Sequence, residues 1–435
     1  MTKIFKSLAG TAMTVVLVAG CATLPIRSNP VSSSPVADST VVLRDITYLA
    51  SDALEGRLTG TPGNDSAAAY IARRYAALNM AAPLPGRYIQ PFEALPASDA
   101  HAGRTTPRKT QNVVAILNGT DPVLRNEYVI VGAHYDHLGH MPDFSLDPEA
   151  KDAIRNGADD NASGTAAVME LARLLSINPP KRSVIFANFS GEEFGLLGSA
   201  YMIDNLPIPR ENVVGMVNFD MVGRLKDNKM IVYGRGTGTE FKPIVDSVNN
   251  ALADAHFSIS GSDDGFGSSD HSTFYGKNIP VLHFFTDIHD DYHKASDDVD
   301  KINLSGTTRV INLARGVVEA VANRATKLTF VRMNPPQQTM SARQGSQVYL
   351  GSVPDMAAGE TPGLKLSGVR PGSPADLGGL KAGDLIIELA GKAVTDLYSY
   401  TDALYANKVG DKIQIVFMRD GKRMETEVTL GKRGG

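Results

Sequence analysis

From about residue 40 onward the chain switches repeatedly between two hydrophobic rhythms. Apolar residues recur at helical spacing over residues 41–50, 67–78, 166–175, 194–202, 241–255 and 307–322, which predicts amphipathic helices. Between them lie short apolar runs at 113–117, 128–131, 183–189, 213–219, 230–233 and 279–285. Each is too short for a typical helix, so each predicts a strand. Leu54-Glu55-Gly56-Arg57 and Gly60-Thr61-Pro62-Gly63 read as turn-rich loop between the first two helices. Strands that alternate with helices predict an α/β fold over residues 40–327, with a mixed sheet sandwiched by helices.

The rhythm breaks at 328–340, where Asn334-Pro335-Pro336-Gln337-Gln338 marks a linker. Residues 341–433 form a second, smaller module rich in short strands. The beginning of the chain is different again. Lys3 and Lys6 precede an apolar run from Leu8 to Ala19, broken by Gly10, Thr11 and Thr14. That run is too short to span a bilayer as a mature helix. It ends in Leu17-Val18-Ala19-Gly20-Cys21, and Cys21 is the one cysteine among 435 residues. Residues 1–20 resemble a bacterial lipoprotein signal peptide, which implies cleavage before Cys21 and a lipid on its thiol that holds the protein to the membrane. Ala22, not Asp, follows Cys21. By the same resemblance that points to the outer membrane, facing the periplasm or outside. Residues 21–39, rich in Pro and Ser, read as a flexible tether.

Composition narrows the chemistry. A formal net charge of −4 gives no basic field for phosphate backbones, so nucleic acid is not an expected partner. A lone cysteine permits no intramolecular disulfide. Any metal has to be held by His, Asp and Glu, which suits zinc or manganese and argues against thiolate ribbons and iron–sulfur clusters.

Residues of those types concentrate in five segments, each at the end of a predicted strand or in a loop. Open α/β sheets build their sites there, beyond the strand carboxyl ends. Gly132-Ala133-His134-Tyr135-Asp136 follows a strand, and Asp136 is spaced to accept the second imidazole N–H of His134. Gly157-Ala158-Asp159-Asp160-Asn161-Ala162-Ser163-Gly164 opens a helix, where plain capping is the bland alternative. Ser190-Gly191-Glu192-Glu193 sets two carboxylates side by side, which repel unless a cation is near. Asp220 ends an apolar strand, where a carboxylate needs a partner. Asp291-Tyr292-His293 lies in an acidic loop, and its bland alternative is an exposed histidine.

The order of these segments resembles the co-catalytic zinc aminopeptidases of the glutamate-carboxypeptidase-II-like metallopeptidase family, over residues 46–325. The loop Leu49-Ala50-Ser51-Asp52-Ala53-Leu54-Glu55-Gly56-Arg57 is similar to that of bacterial members. The resemblance implies two Zn2+ ions and peptide substrates. It makes Asp160 the bridging carboxylate, three residues before Ser163-Gly164. One zinc would be held by His134, Asp160 and Asp220, the other by Asp160, Glu193 and His293. Glu192 would be the general base, and Tyr292 would help polarise the scissile carbonyl. Zinc chemistry fits the task, since it brings bound water to a pKa of about 7. His137, His140, His271 and His289 are expected to line the pocket rather than bind metal. His101, His256 and His283 read as structural or surface residues. The rivals are a carboxypeptidase or dipeptidase on the same metals, a glutaminyl-peptide cyclotransferase and a binding protein that has lost catalysis. Cyclotransferases of this kind bind one zinc and lack the first histidine, and here His134 is present. Loss of catalysis would remove Glu192 or a ligand, and none is missing.

In the second module, Gly372-Ser373-Pro374-Ala375 and Gly379-Leu380-Lys381-Ala382-Gly383-Asp384 resemble a bacterial PDZ domain appended to secreted proteases. Such a domain adds a peptide strand to a sheet edge and holds its terminal carboxylate on a backbone nest. The nest would be Tyr349-Leu350-Gly351. Ser352 stands where the family usually has an apolar residue, so a packing role without a peptide is the alternative.

Overall fold

The computed structural model describes residues 1–2, 35–84, 86–95, 106–141, 145–147, 150–252, 256–333, 348–354, 362–370, 372–394 and 397–432. Cys21, its preceding apolar run and the Pro-rich part of the linker lie outside the described residues. The fold below belongs to the compact unit Val36–Gly435. Among the described residues no helix is long and apolar enough to cross a membrane.

Eight strands form the main sheet: β1 (Ile89–Ala94), β2 (Arg108–Leu117), β3 (Tyr128–His134), β4 (Ser183–Phe189), β5 (Val213–Phe219), β6 (Lys229–Tyr233), β7 (Ser258–Ser260) and β8 (Val281–Phe285). Their spatial order is β1-β2-β4-β3-β5-β8-β6-β7. The central four, β4, β3, β5 and β8, run parallel. β2 and β6 flank them antiparallel, so the sheet is mixed, as the alternating pattern implies. Every residue of β4, β5 and β8 is buried, and so is all of β3 after Tyr128. Strands covered on both faces can be apolar at nearly every position, which is why they stand out as short, mostly apolar runs. The chain leaves β3 through a helix to β4 on one side and places β5 on the other. That reversal opens a crevice at the carboxyl ends of the strands.

The helices are α1 (Ser39–Leu49), α2 (Pro62–Ala77), α3 (Gly164–Ile177), α4 (Leu197–Asp204), α5 (Phe241–Asn250), α6 (His271–Gly276) and α7 (Leu304–Asn323). Helix α2 begins five residues earlier than its apolar spacing predicts. Thr61 caps it by accepting from the Asn64 N–H, and Pro62 takes the first helical position, where a missing N–H costs nothing. Gly60 stays in the turn, but Pro62 and Gly63 belong to the helix. Helix α4 begins later than expected because Gly195 and Leu196 hold φ of 104° and 62°. The pattern does not anticipate β1, β7 or α6. Gln90, Pro91 and Glu93 interrupt the first, and the other two are too short to show a period. The expected linker also begins later. Thr329 N–H donates to Glu240 Oε2, Val331 N–H to the Thr237 carbonyl and Met333 N–H to the Tyr275 hydroxyl, so residues 329–333 are seated on the first domain.

The second domain has its own core, with Leu366, Ile386, Leu389, Ile415 and Phe417 at its centre. Its strands are β9 (Val348–Tyr349), β10 (Ser352–Pro354), β11 (Leu364–Val369), β12 (Leu385–Leu389), β13 (Lys392–Ala393), β14 (Lys412–Arg419), β15 (Lys422–Thr429) and β16 (Gly431–Lys432). Helices α8 (Pro374–Leu377) and α9 (Leu397–Tyr405) accompany them. The sheet runs β10-β11-β12-β14-β15 and all its pairs are antiparallel.

Gly63 is where α2 touches the turn that carries Arg57. A Cβ there would stand 1.9 Å from the Leu54 carbonyl oxygen, which is backbone and cannot swing away. Gly63→Ala is expected to cost about 1–3 kcal/mol, as overpacking does, and to lower the Tm by several degrees. An unchanged Tm in thermal denaturation would show that this contact is slack.

Candidate metal centre

His134 is the last residue of β3, Glu192 and Glu193 follow β4, and Asp220 follows β5. Asp160 sits in the turn before α3, and His293 in the loop after β8. The sheet places His134, Glu193 and Asp220, and the turn before α3 and the loop after β8 bring Asp160 and His293 to them, so all five expected ligands meet. His134 Nε2 lies 3.3 Å from Asp220 Oδ1 and 3.4 Å from Asp160 Oδ1. His293 Nε2 lies 3.2 Å from Asp160 Oδ2 and 3.2 Å from Glu193 Oε2. The two oxygens of Asp160 thus face different imidazoles. Asp159 points elsewhere: its Oδ1 accepts from the Gly223 N–H at 2.6 Å and from the Ser163 hydroxyl at 2.8 Å.

His137, set aside in the sequence reading, belongs to this group. It is fully buried, and its Nδ1 lies 2.8 Å from Glu193 Oε1 and 3.8 Å from Asp160 Oδ2. Two clusters of possible metal ligands result, His134 with Asp160 and Asp220, and His137 with Asp160 and Glu193, each with donor atoms within 4.8 Å of one another. A Cβ on Gly157 would meet the His137 ring at 2.5 Å, so that glycine makes room for it. The sequence signal was present, a third histidine one residue past Asp136, but a neighbour of a strand end has no periodic partner to reveal where it points.

The expected support of His134 takes a different form. Its Nδ1 bonds the backbone carbonyl of Asp136 at 3.2 Å, while the Asp136 carboxylate is 3.7 Å away. That carboxylate is drawn off by the Thr59 hydroxyl at 2.8 Å and by the Glu192 N–H at 3.2 Å. Asp136 therefore steadies Glu192 as well as His134. Thr165, in the first turn of α3, donates to the His134 carbonyl at 2.7 Å. The Tyr292 ring stacks on that of His293, centroids 3.9 Å apart.

Asp297 is a second residue the sequence did not single out. Its carboxylate accepts from the Asp159 N–H and the Asp160 N–H at 3.0 Å each, and its carbonyl from the Ala158 N–H at 3.0 Å. The loop that carries His293 is thereby latched to the turn that carries Asp160. His289 Nε2 lies 3.1 Å from Asp159 Oδ2 on the far side of that turn. His271 and His283 stack on each other at 4.4 Å, and His140 and His256 are exposed. His101 lies outside the described residues.

The electrostatics ask for positive charge. Burial works against a charged His134, yet Asp220 and Glu192 outweigh it and push the imidazole well above its ordinary range. Burial likewise opposes charge on His293, and Glu193 and Asp160 overcome it. Burial raises Glu193, but His293 and His137 hold it down at about 2. Glu192 goes the other way. Removal from water, then the charges of Glu193, Asp220 and Asp270, push it well above the carboxylate range, although His134 pulls it down. Imidazole nitrogens and carboxylate oxygens in this ratio, free of thiolate, are the donor set that zinc takes.

Residues 112–318 match the sequence model of the peptidase family M28, and residues 339–430 match that of the PDZ domain. A probable zinc metalloprotease of Leptosphaeria maculans is 41% identical over 118 residues, 27% of this chain and 25% of the relative. Aminopeptidase YwaD of Bacillus subtilis is 29% identical over 206 residues, 46% of this chain and 42% of the relative. The chain therefore spans from a quarter to under a half of these relatives' length. Among solved structures, an aminopeptidase from Aneurinibacillus sp. strain AM-1 superposes with a TM-score of 0.53 at 18% identity, covering 70% of this chain and 98% of that one. A glutaminyl cyclase of Bacteroides thetaiotaomicron gives 0.55 at 18% identity, covering 66% and 99%. The fold is that of the zinc aminopeptidases with a C-terminal PDZ domain, and it is a fold that a cyclase shares.

The contact of His137 with Glu193 has a measurable consequence. His137→Ala strips Glu193 of a buried partner, and losses of that kind weaken metal binding roughly 10–100-fold. Calorimetric titration with zinc is expected to show weakened zinc binding in the variant. Unchanged binding would remove His137 from the site.

Proposed function

We propose that the protein is a two-zinc exopeptidase that releases N-terminal residues from peptides. The observation that carries this reading is the division of Asp160 between two imidazoles, Oδ1 toward His134 and Oδ2 toward His293. His134, Asp160 and Asp220 would hold one ion, and Asp160, Glu193 and His293 the other, with His137 against Glu193. Zinc, when bound there, supplies an acidified water and a polarised carbonyl at neutral pH.

The chain's own residues do the rest. Glu192, held through its N–H to Asp136 and not among the proposed ligands, is assigned to take a proton from water and give it to the leaving amine. Tyr292, stacked on His293, is assigned to the substrate carbonyl. The surplus of carboxylates favours a substrate that brings its own cation, the free α-ammonium of a peptide N-terminus. A carboxypeptidase needs a spare cation for the terminal carboxylate instead. Arg57 is occupied by backbone carbonyls, and Arg224 is paired with Asp291 at 2.8 Å. A cyclotransferase does not need His134 opposite Asp220, and that second set of donors counts against it.

Two further assignments complete the reading. The PDZ domain takes a peptide C-terminus on the nest at Tyr349, Leu350 and Gly351, and Cys21 carries a lipid that anchors the protein in the cell envelope. Cys21→Ser is expected to release the protein from membranes or leave its leader uncut. A mature wild-type chain without lipid by mass spectrometry would refute the anchor.

The functional reading is tested by two neighbouring substitutions. Glu192→Gln should keep its metal and bind peptide while turnover of an amino-acid anilide falls by roughly 10²–10⁴-fold and KM changes far less. Glu193→Gln should lose metal along with activity. The N-acetylated anilide should resist the wild-type enzyme. Near-normal turnover in both variants would rule out the mechanism, and preference for the blocked substrate would rule out the aminopeptidase mode.

A further inference from the structure

The nest of the second domain is built asymmetrically. The Leu350 carbonyl accepts from the Ala375 N–H, and the Gly351 carbonyl from the Arg370 N–H, each at 2.8 Å. Both peptide groups are trans, so their N–H bonds, those of Gly351 and Ser352, point away from the 370–375 segment. Gly351 has φ +83°, and a Cβ there would meet the Ser373 Cβ at 2.1 Å. Two successive amides turned the same way make an anion-binding concavity. Among the described residues, strand β10 continues from it as the end strand of its sheet, bonded to β11 on one side, with its other edge open to an added strand.

Helix α9 supplies the other wall. The Tyr400 hydroxyl and the Ser352 hydroxyl hydrogen-bond to each other, and Tyr400 is 3% exposed. Burial pushes the Tyr400 phenol up, so it is a neutral hydroxyl. Two hydroxyls carry two donor protons, and their mutual bond uses one. One donor and spare acceptor lone pairs remain beside the nest. An apolar side chain pressed against them would leave that donor buried without a partner, whereas a hydroxyl or carboxamide would satisfy it. Ser352 therefore changes what the pocket recognises.

We infer that the second domain binds peptides with a free C-terminal carboxylate on a last residue that bears a hydroxyl or carboxamide, the carboxylate on the Gly351 and Ser352 amides and the side chain on the Ser352–Tyr400 pair. The inference rests on the reading that this domain takes a peptide C-terminus.

Fluorescence anisotropy on the full chain tests it. The probes are N-acetylated, dye-labelled hexapeptides of one sequence that end in Thr, in Val, or in Thr amide. The acetyl group protects them from the proposed exopeptidase. The Thr acid is expected to bind about tenfold or more tightly than the Val acid, and the amide to bind far more weakly than either. Ser352→Val combined with Tyr400→Phe removes both hydroxyls and should reverse the preference. A wild-type chain that prefers the Val acid, or ignores the difference, overturns the inference and leaves the domain a peptide binder. If neither acid binds, the peptide-binding reading itself fails, and this inference with it.

Discussion

Carboxylates gathered out of water at the ends of parallel strands cannot all stay ionised unless positive charge is brought among them. Asp136, Asp159, Asp160, Asp270 and Asp297 are buried at this end of the sheet, and Glu192, Glu193 and Asp220 border them. Arg57 is a fixed cation in their midst. It is fully buried, and burial lowers it to about 10 while Asp160, Asp136, Asp297 and Glu193 hold it up, so it stays charged at neutral pH. Its guanidinium donates to the carbonyls of Leu49, Tyr135, Asn156 and Gly157. One side chain thus joins the end of α1, the His134 strand end and the turn that leads to Asp160. Arg224 adds a second guanidinium, 3.9 Å from Asp297, but two do not balance so many carboxylates. The remainder falls to His134 and His293, which are pushed toward their charged forms, or to divalent ions between the same atoms.

What the sequence made legible follows from periodicity. Strands buried on both faces, such as Ser183–Phe189 and Val213–Phe219, appear as mostly apolar runs, broken only by Ser183, Asn188 and Asn218, with the bounds they have in the fold. The parts that escaped depend on contacts rather than rhythm. β1 alternates around a proline, and the start of α2 is set by one cap and one proline. In the site, His134, Glu192, Glu193 and Asp220 were readable because they lie at or just after strand ends, whereas Asp160, in the turn before α3, and His293, in a loop, were picked out by the family resemblance. The roles of His137 and Asp297 were not, because each is defined by a partner distant in sequence, 56 residues away for the His137–Glu193 contact and 137 for the bond from the Asp160 N–H. Asp136 illustrates the limit from the other side. Its spacing suggested the right neighbour, but Thr59 and Glu192 compete for its carboxylate, and the backbone carbonyl serves His134 instead.

The second domain follows the same logic with a weaker field. Its nest has no buried carboxylate to neutralise. It offers two oriented amides for a carboxylate and a pair of hydroxyls that would tell polar from apolar last residues by hydrogen bonding. The two domains would in this way address opposite ends of peptides, the α-ammonium at the metal centre and the carboxylate at the nest.

The central claim is that Asp160 is shared between two ions, and metal counting tests it directly. Wild-type protein equilibrated with zinc and analysed by inductively coupled plasma mass spectrometry should hold close to two ions per chain, and Asp160→Ala should hold neither, while His134→Ala and His293→Ala each keep one. Full metal content in folded Asp160→Ala would contradict the shared carboxylate.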